Sequence, residues 1–485
     1  AILAEHFPNQ TPEQWVDRLL ASANNDLNGT FSQAGTVTFG NGVVHGYSTE
    51  AGHGMLDLYA ALQPITADSA ARGMVIYSGS TNTGGRSFNL YDSRILSSRS
   101  FGDSIINGLD GIDNYTFDAL SGGFKYDMSG HVSQVANNAP MIDLDRELNN
   151  SNFRKIDNND ASLNWKMDFS GSAMDEKIDI SSKKSKRYIT TVASASAPVQ
   201  NFYYINQNFE HLYHEYQVPY LSPSEGGVGF SFLKSNYKDR ILFGVSNPAT
   251  TSKDNNLGKE RSLVLGYDHK FNDNLILGSI FGIAQEKDSF LNLKGEGAFN
   301  LENSESDTNF GGLKVNYRTT KNGQISTLIN FANTNFRGSE NSLLTGANNI
   351  ISSSYFFGYN HKKIFSNDEI LFYFSQPNRV EKGDINLKLT NLPDKKGNIT
   401  YTNYSVNLLP SGRQKDFGIS YKKIVNKDYF LNLKFIGTKE NNHVKENKDV
   451  FSKFLGLGYK NFSFGGTNFS NRKGFDTKLI YNINF

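Results

Sequence analysis

The residue types most able to bind a metal fall into two groups in this sequence. His211, His214 and Glu215 have helical spacing, which could place two imidazoles on one helix face, but the longer pattern of zinc-protease helices is missing. Three aspartates in residues 110–118 lie near glycines and could offer oxygens to calcium, although their spacing does not fit an EF-hand loop. Turn-forming acids explain the aspartates better, and a structural helix over residues 202–216 explains the histidines better. We therefore predict no metal site and no cofactor.

A second kind of chemistry is ion pairing. Arg379 and Glu381 are two residues apart in an alternating segment, so a strand would place them on one face, where they could pair inside a lumen. Ser411 and Gly412 are residue types that favour a tight turn, and Arg413 follows them. We interpret this group as structural and assign it no reaction.

Strands must position these residues. In residues 475–485 the apolar side chains and Thr477 occupy every second position, with Ile480 as the exception to the alternation and Phe485 in the last place. Successive side chains of a strand point to opposite faces, so this segment has one apolar and one polar face. Its length suits a tilted strand across a bilayer, which takes about 9–11 residues. The same alternation recurs upstream, for example at residues 313–318 and 263–271.

The connections between these segments alternate in length. Short turns are predicted at residues 272–274, 321–323, 366–368 and 411–413, and long connections at residues 288–306 and 382–398. Short turns at one end and long loops at the other are typical of outer-membrane barrels. We predict an antiparallel β-barrel of about 12 strands. Residues 228–232 alternate equally well, and whether they join the wall stays open.

The composition agrees with strands that cross a membrane. A mean hydropathy of −0.48 and the lack of long apolar runs exclude a helical membrane protein. Barrels keep a low average because only alternate residues face lipid, and the 36 Phe and 24 Tyr suit aromatic girdles. A net charge of +1 gives no reason to expect nucleic acid. The absence of cysteine excludes disulfides and thiolate metal sites.

Two irregular motifs in the alternating half resemble a known family. They are Ser375-Gln376-Pro377 with Arg379 and Glu381, and Pro410-Ser411-Gly412-Arg413. Both resemble motifs in the barrel domains of autotransporters, particularly those with subtilisin-like passengers. The resemblance implies a type V secretion protein in the outer membrane of a Gram-negative bacterium, with its passenger at the cell surface. It also implies outer-membrane lipid and the barrel-assembly machinery as partners.

The first 65 residues carry a second resemblance. Thr11, Pro12 and Gln14 predict a helix that begins with a capping box, and residues 51–62 predict a second helix after glycines. These helices and residues 1–8 resemble the C-terminal end of a subtilisin-like serine protease domain. The resemblance implies that residues 1–8 end the helix that begins with the nucleophilic serine. We therefore expect the C-terminal portion of a longer protein.

No catalytic residue can be assigned on this reading. A subtilisin-like enzyme needs aspartate, histidine and serine in that chain order, and all three would precede Ala1. His53 follows the expected serine position, whereas the family's histidine precedes it. The full-length protein is expected to be a serine endopeptidase acting on a peptide or protein substrate, without catalytic residues in this chain.

The predicted organisation has three parts, and the chain is mainly β. Residues 1–65 are a small α/β remnant of the protease domain, and residues 66–200 are a β-rich, partly flexible linker or junction with short strands at 74–77 and 93–96. Residues 201–485 are the barrel domain, with a pore helix at 202–216. The expected function is to anchor and export the passenger. The alternatives are a barrel-anchored adhesin, an inactive protease-derived display scaffold, or a small porin.

Overall fold

The computed structural model is dominated by antiparallel strands. It describes residues 1–65, 75–77, 87–89, 93–134, 163–170, 173–181, 188–194, 218–220, 228–235, 238–247, 259–339, 342–392, 394, 400–425, 429–459, 462–470 and 475–481. The predicted pore helix and Phe485 lie outside these residues. The helices are α1 Ile2–His6, α2 Pro12–Ala21, α3 Leu58–Leu62 and α4 Ser104–Leu109.

The strands begin with short pairs in the first third of the chain and lengthen towards the middle of the sheet. In chain order they are β1 Gly35–Thr38, β2 Val44–Tyr47, β3 Val75–Tyr77, β4 Ser87–Asn89, β5 Arg94–Ser97, β6 Asp113–Phe117, β7 Gly123–Asp127, β8 Val132–Gln134, β9 Leu163–Ser170, β10 Ala173–Ser181, β11 Tyr188–Ser194, β12 Val228–Ser235, β13 Asp239–Asn247, β14 Lys259–Lys270, β15 Leu275–Lys287, β16 Lys294–Glu296, β17 Glu305–Arg318, β18 Gly323–Arg337, β19 Leu344–Lys362, β20 Asp368–Thr390, β21 Tyr401–Asn407, β22 Lys415–Ile424, β23 Tyr429–Lys439, β24 Val450–Tyr459, β25 Phe462–Phe469 and β26 Phe475–Tyr481.

One large sheet contains most of these strands. Its hydrogen-bonded order follows the chain from β9 to β26 without β16, and β26 returns to β9, which closes the sheet as a barrel. β21 and β22 share one position because both pair with β20. The seventeen segments therefore fill sixteen positions. A mainly β chain with a large antiparallel sheet is confirmed, but the expected count of about 12 strands is too low.

The additional strands come from two places. β12 pairs with β11 and β13, so residues 228–232 belong to the wall. β9, β10 and β11 come from the range assigned to the linker. The sequence of β9 does alternate, with apolar residues at 163, 165, 167 and 169, but its surroundings are rich in Asn, Asp, Ser and Lys. That composition concealed the period-2 signal.

The connections sort by length, although the long connection predicted at residues 382–398 is wrong in its bounds, because β20 continues to Thr390. Residues 271–274, 319–322 and 363–367 connect strands at one end of the sheet, which we call the short-turn end. Residues 288–304 and 440–449 connect strands at the other end, the long-loop end. The turn predicted at residues 411–413 is wrong, because β21 and β22 run in the same direction along β20.

The two faces of the wall differ as the alternation predicted. Outward side chains are apolar and exposed, such as Leu313 at 61% and Phe331 at 55%. On the inner face, buried Lys314 donates to Asp268 Oδ2 at 2.9 Å. Thr308 shares a 2.9 Å hydrogen bond with the hydroxyl of Thr334. The inner face is therefore polar and hydrogen-bonded across the strands.

The first 65 residues form a small α/β unit. The Thr11 and Gln14 side chains accept each other's backbone N–H groups, so the predicted capping box of α2 is confirmed. The second predicted helix is shorter than expected and begins only at Leu58, because residues 51–57 turn at Gly52 and Gly54, both with positive φ. Leu3, Phe7 and Ala61 form the buried centre of the unit.

A buried ion pair joins this unit to the next one. Arg18 pairs with Asp118, and both side chains are fully buried. The Arg18 guanidinium also donates to the Ala61 carbonyl at 3.1 Å and lies 4.2 Å from the centre of the Phe7 ring. Burial raises the pKa of the Asp118 carboxyl, although Arg18 and backbone N–H groups favour its charged form.

Residues 93–134, which we call the junction block, pack on the long-loop end of the barrel. β5 pairs with β8 within the block and with β16 of the long connection 288–304. One hydrophobic cluster combines the block, that connection and the upper inner wall, and its members include Phe101, Ile105, Leu109, Met128, Phe290, Phe299, Leu344, Val380, Leu387 and Leu408. The inner wall is thus apolar where the junction block covers it.

Candidate functional site

The site begins where the barrel wall is interrupted. β20 pairs with β22 through residues 368–375 and with β21 through residues 384–390. Between these ladders, residues 376–383 face residues 408–414. Pro377 and Pro410 lie in the two facing segments, and neither has an N–H group to donate to a ladder. The gap therefore forms where both strands lack a backbone donor.

Arg379 fills this gap with side-chain hydrogen bonds. Its Nε donates to the Gly412 carbonyl at 2.8 Å and its Nη2 to the Pro410 carbonyl at 2.9 Å. The residue is 6% exposed. The planar guanidinium offers several donors in a fixed fork, so a single side chain can satisfy two carbonyls that have lost their strand partners.

Glu381 joins Arg379 to Arg413. Arg379 Nη1 donates to Glu381 Oε2 at 2.6 Å, and Arg413 donates to Oε1 at 2.8 Å and to Oε2 at 2.6 Å. Ser353 donates to the same carboxylate at 2.7 Å, and Arg413 also reaches Gln376 at 2.6 Å. Such bidentate, charge-assisted bonds fix both the distance and the angle between the two segments.

The Glu381–Arg413 pair faces away from the lumen, which corrects the expectation that Arg379 and Glu381 pair inside it. Arg413 precedes the outward, exposed Phe417 by an even number of residues, whereas Gln414, next to it, is buried. The register between β19 and β20 shifts near Ser353, the serine that donates to Glu381. Bulges of this kind re-aim side chains, and simple alternation cannot predict them.

On the lumen side, residues 408–414 bind the junction block. The Ser411 N–H donates to Asp103 Oδ1 at 2.9 Å, and its hydroxyl donates to Oδ2 at 2.6 Å. Gly102 has φ +50 and approaches closely, since a Cβ there would lie 2.9 Å from Pro410 Cβ. Only glycine combines that backbone conformation with that contact. The junction block is thus fixed to the barrel at the interruption.

His443, in the connection after β23, lies on the lumen side of the interruption. Its Nδ1 accepts the Gln414 N–H at 2.9 Å, so the proton lies on Nε2, which contacts the Asn378 carbonyl at 3.0 Å. Burial lowers the pKa of His443 to about 3, and Arg379, Arg99 and Arg413 add to the effect. A neutral imidazole is therefore built into the folded state.

Most of the motif residues named in the sequence analysis meet at the interruption. The structure brings together Gln376, Pro377, Arg379, Glu381 and the segment Pro410-Ser411-Gly412-Arg413, while Ser375 lies in the neighbouring ladder opposite Asp416. Phe485 lies outside the described residues. The sequence analysis missed Asp103 and His443 as partners. Asp103 lies within residues 66–200, which the sequence analysis assigns to a linker or junction.

The arrangement can bind and orient chain segments, but it holds no activated nucleophile. Within the described ranges no three His, Asp or Glu side chains group as metal ligands. No helix among those residues is both long and apolar enough to cross a membrane.

Comparison with known proteins assigns no family. No family model matches the chain, and no curated protein does. Solved structures share limited similarity: the CymD monoaromatic hydrocarbon channel has 10% identity and a TM-score of 0.32, covering 51% of this chain and 78% of that one. OccK11 (OpdR) from Pseudomonas aeruginosa has 9% identity and a TM-score of 0.33, covering 64% and 78%.

The ferric-catecholate import receptor Fiu from E. coli K12 has 8% identity and a TM-score of 0.36, covering 64% of this chain and 61% of its own. Similarity at this level assigns neither membrane nor function to this chain. The closed strand order and the geometry of the site follow from contacts within the chain itself.

Proposed function

We propose that this chain is the translocator of an outer-membrane autotransporter, which anchors and exports a subtilisin-like passenger. One observation carries the proposal: the junction block and the first barrel strand are connected to opposite ends of the barrel. The junction block lies at the long-loop end, where Asp103 bonds Ser411 and β5 pairs with β16. The barrel begins at the other end.

Strand direction supports this placement. β14 ends at the short turn 271–274, and β13 is antiparallel to it, so β13 runs towards the long-loop end. β9 and β11 run in the same direction as β13, because each neighbouring pair in this series is antiparallel. β9 therefore starts at the short-turn end.

The chain must pass from one end to the other between Gln134 and Leu163. At about 3.3 Å per residue, the intervening 135–162 can reach roughly 90 Å, well beyond an apolar band of about 25 Å. A polypeptide whose N-terminal part lies outside while its barrel starts inside is the arrangement that export of a passenger requires. The short-turn end would then face the periplasm, and the barrel-assembly machinery would insert the wall.

The passenger would be a serine endopeptidase whose catalytic residues precede this chain. The capped helix α2 and the helix α3 are the two helices on which the resemblance of residues 1–65 to the end of a subtilisin-like domain rests. The buried Arg18–Asp118 pair connects this unit to the junction block, so the two would be displayed together. Peptides or proteins would be its substrates.

Single-cysteine labelling tests the orientation, and the chain offers a clean background because it contains no cysteine. Lys125→Cys places an exposed thiol on the junction block, and Lys321→Cys places one in a short turn. On intact cells, an impermeant maleimide should label the first variant and leave the second unlabelled until the outer membrane is opened. Labelling of only Lys321→Cys on intact cells would contradict the proposal.

A small porin is the second candidate, favoured by the polar inner face with Asn330–Ser354 and Lys314–Asp268 contacts. The junction block packs across the upper inner wall, which argues for a closed mouth. Conductance in planar bilayers separates the two. A steady, large conductance of the full chain would favour the porin, and rare openings would favour the translocator.

A further inference from the structure

Three lysines lie on the outward face of the wall beside the interruption. Lys415, Lys439 and Lys453 belong to the neighbouring strands β22, β23 and β24. Lys415 lies directly opposite Lys439, and Lys453 lies opposite Phe435. Each shares its face with exposed aromatic residues, because Phe435 is 48% exposed and its neighbours alternate inward. These lysines, the lysine cluster, therefore face the membrane.

The height of the lysine cluster follows from strand geometry. From Ile424 at the short-turn end to Lys415, β22 has 10 residues. At about 3.3 Å per residue and a tilt of about 40°, this strand rises roughly 25 Å, which equals the apolar band of an outer-membrane barrel. Lys415 and Lys439 thus lie at the external edge of the hydrocarbon, and Lys453 lies four residues deeper. Long lysine side chains can extend to that edge.

An apolar groove of about 590 Å³ runs beneath the cluster. Its walls are aromatic, from Phe374, Phe417 and Phe451, and Lys453 lies at its margin. Gly437 forms the floor, since a Cβ there would touch only the Phe451 ring, at 3.4 Å. The groove is open along the wall and can hold a flexible hydrocarbon chain.

The charges of the cluster are uncompensated within the part of the chain that the structure describes. None of the three lysines makes an ion pair with another described residue. Glu381, an acid beside the interruption, is already bound by Arg379 and Arg413. Like charges directly opposite each other destabilise a sheet. An anion at this place, at the level where lipid headgroups lie, would relieve that repulsion.

We propose that the lysine cluster and the groove form a binding site for a phosphorylated lipid of the outer leaflet, namely lipid A. Its phosphate lies between Lys415, Lys439 and Lys453, and one acyl chain lies over Gly437. The apolar groove directly below the charges selects a lipid over soluble phosphate. This inference rests on the proposed orientation of the barrel and not on a protease passenger.

Native mass spectrometry of the full chain, folded in detergent, tests the site with bisphosphorylated lipid A. The variant K415Q/K439Q/K453Q should lose at least tenfold in affinity, and dephosphorylated lipid A should bind the wild type at least fivefold more weakly. The matched control R318Q/K321Q/K363Q removes the same charge at the short-turn end and should bind as the wild type does. Heat-modifiable migration confirms that each variant is folded.

The groove is tested by Gly437→Val, with Gly311→Val as its control. Both glycines lie on outward strand positions, and both would place a Cβ 3.4 Å from one aromatic ring. Gly437→Val should lower affinity severalfold, and Gly311→Val should leave it unchanged. The proposal would be overturned if the triple lysine variant bound lipid A as tightly as the wild type does. It would also be overturned if the wild type bound dephosphorylated lipid A as tightly as bisphosphorylated lipid A. Surface labelling of Lys125→Cys reports the orientation of the barrel independently of lipid binding. A wrong orientation can therefore be distinguished from a missing lipid site.

Discussion

The pairs β17–β18 and β19–β20 are neighbouring parts of one wall, yet they are held differently. β17 and β18 pair without a break from Glu305–Arg337 to Arg318–Gln324. Between β19 and β20 the register shifts repeatedly, and the next position is split between β21 and β22. In the regular wall, backbone hydrogen bonds join the strands along their whole length. At the interruption, side chains replace them.

This difference predicts where single substitutions matter. A regular ladder spreads its stability over many backbone bonds that no side-chain change removes. The interruption concentrates the connection in Arg379 and its partners, and it couples the wall to the junction block through Ser411. The two regions should therefore respond very differently to comparable changes.

Arg379→Met should give the largest effect. It leaves the Pro410 and Gly412 carbonyls without their donors and leaves the partly buried Glu381 with one cation fewer. Removing one partner of such a network typically costs about 3–5 kcal/mol. The urea midpoint of heat-modifiable migration should fall accordingly. Arg318→Met, on an exposed position of the regular wall, should change the free energy of unfolding by less than about 0.5 kcal/mol. Similar shifts for both variants would contradict the comparison.

Asp103→Ala should release the junction block while leaving the wall folded. The carboxylate accepts both the N–H and the hydroxyl of Ser411, and hydrogen bonds to a charged group are worth about 1.5–3 kcal/mol. We expect faster proteolysis within residues 93–134 with unchanged heat-modifiable migration. Asp110→Ala, at an exposed position of the same block, is the control. Unchanged proteolysis in Asp103→Ala would show that the apolar contacts alone hold the block.

Acidification should weaken the interruption selectively through His443, which lies in the connection between β23 and β24. Its pKa is about 3 in the folded chain and about 6.5 in the unfolded one. As pH falls below about 6.5, only the unfolded chain takes up the proton, so stability decreases until about pH 3. Between pH 7 and pH 5 the loss should be about 2 kcal/mol.

The urea midpoint at pH 7 and pH 5 measures this loss. His443→Asn keeps a polar side chain that does not titrate, and its midpoint should depend less on pH. His361→Asn, at the short-turn end, should keep the dependence of the wild type. If His443→Asn were as acid-sensitive as the wild type, another group would be responsible.

The comparison also explains what the sequence could predict. β17 and β18 follow from period-2 alternation and from the short turn between them, because both signals are local. The interruption does not follow from local signals, because Ser411-Gly412 alone predicts a tight turn. Whether that segment reverses the chain depends on Arg379, Asp103 and His443, which approach it from distant parts of the sequence.

The strand count failed for a related reason. β9 to β11 lie in a polar stretch, and their membership in the wall is decided by pairing with β12 and β26 and not by their composition. The motif residues themselves were found because irregular types such as Pro and Arg interrupt the alternation. The family resemblance identified the residues, and the structure identified their partners.

The smallest expected effect compares the inner face of the β20–β22 ladder with the outer face of the regular β17–β18 ladder. At Gly418, on the inner face, a Cβ would lie 2.0 Å from the ring of Tyr373, its cross-strand partner. Gly418→Ala must push that ring aside and should cost about 1 kcal/mol, the lower end for overpacking. Gly311→Ala faces outward, where the nearest ring atom is at 3.4 Å, and should be nearly neutral. Paired urea midpoints of the two variants measure the difference. Equal midpoints would mean that the inner face can accommodate an added methyl group and that aromatic rings over glycine contribute little to closing the wall.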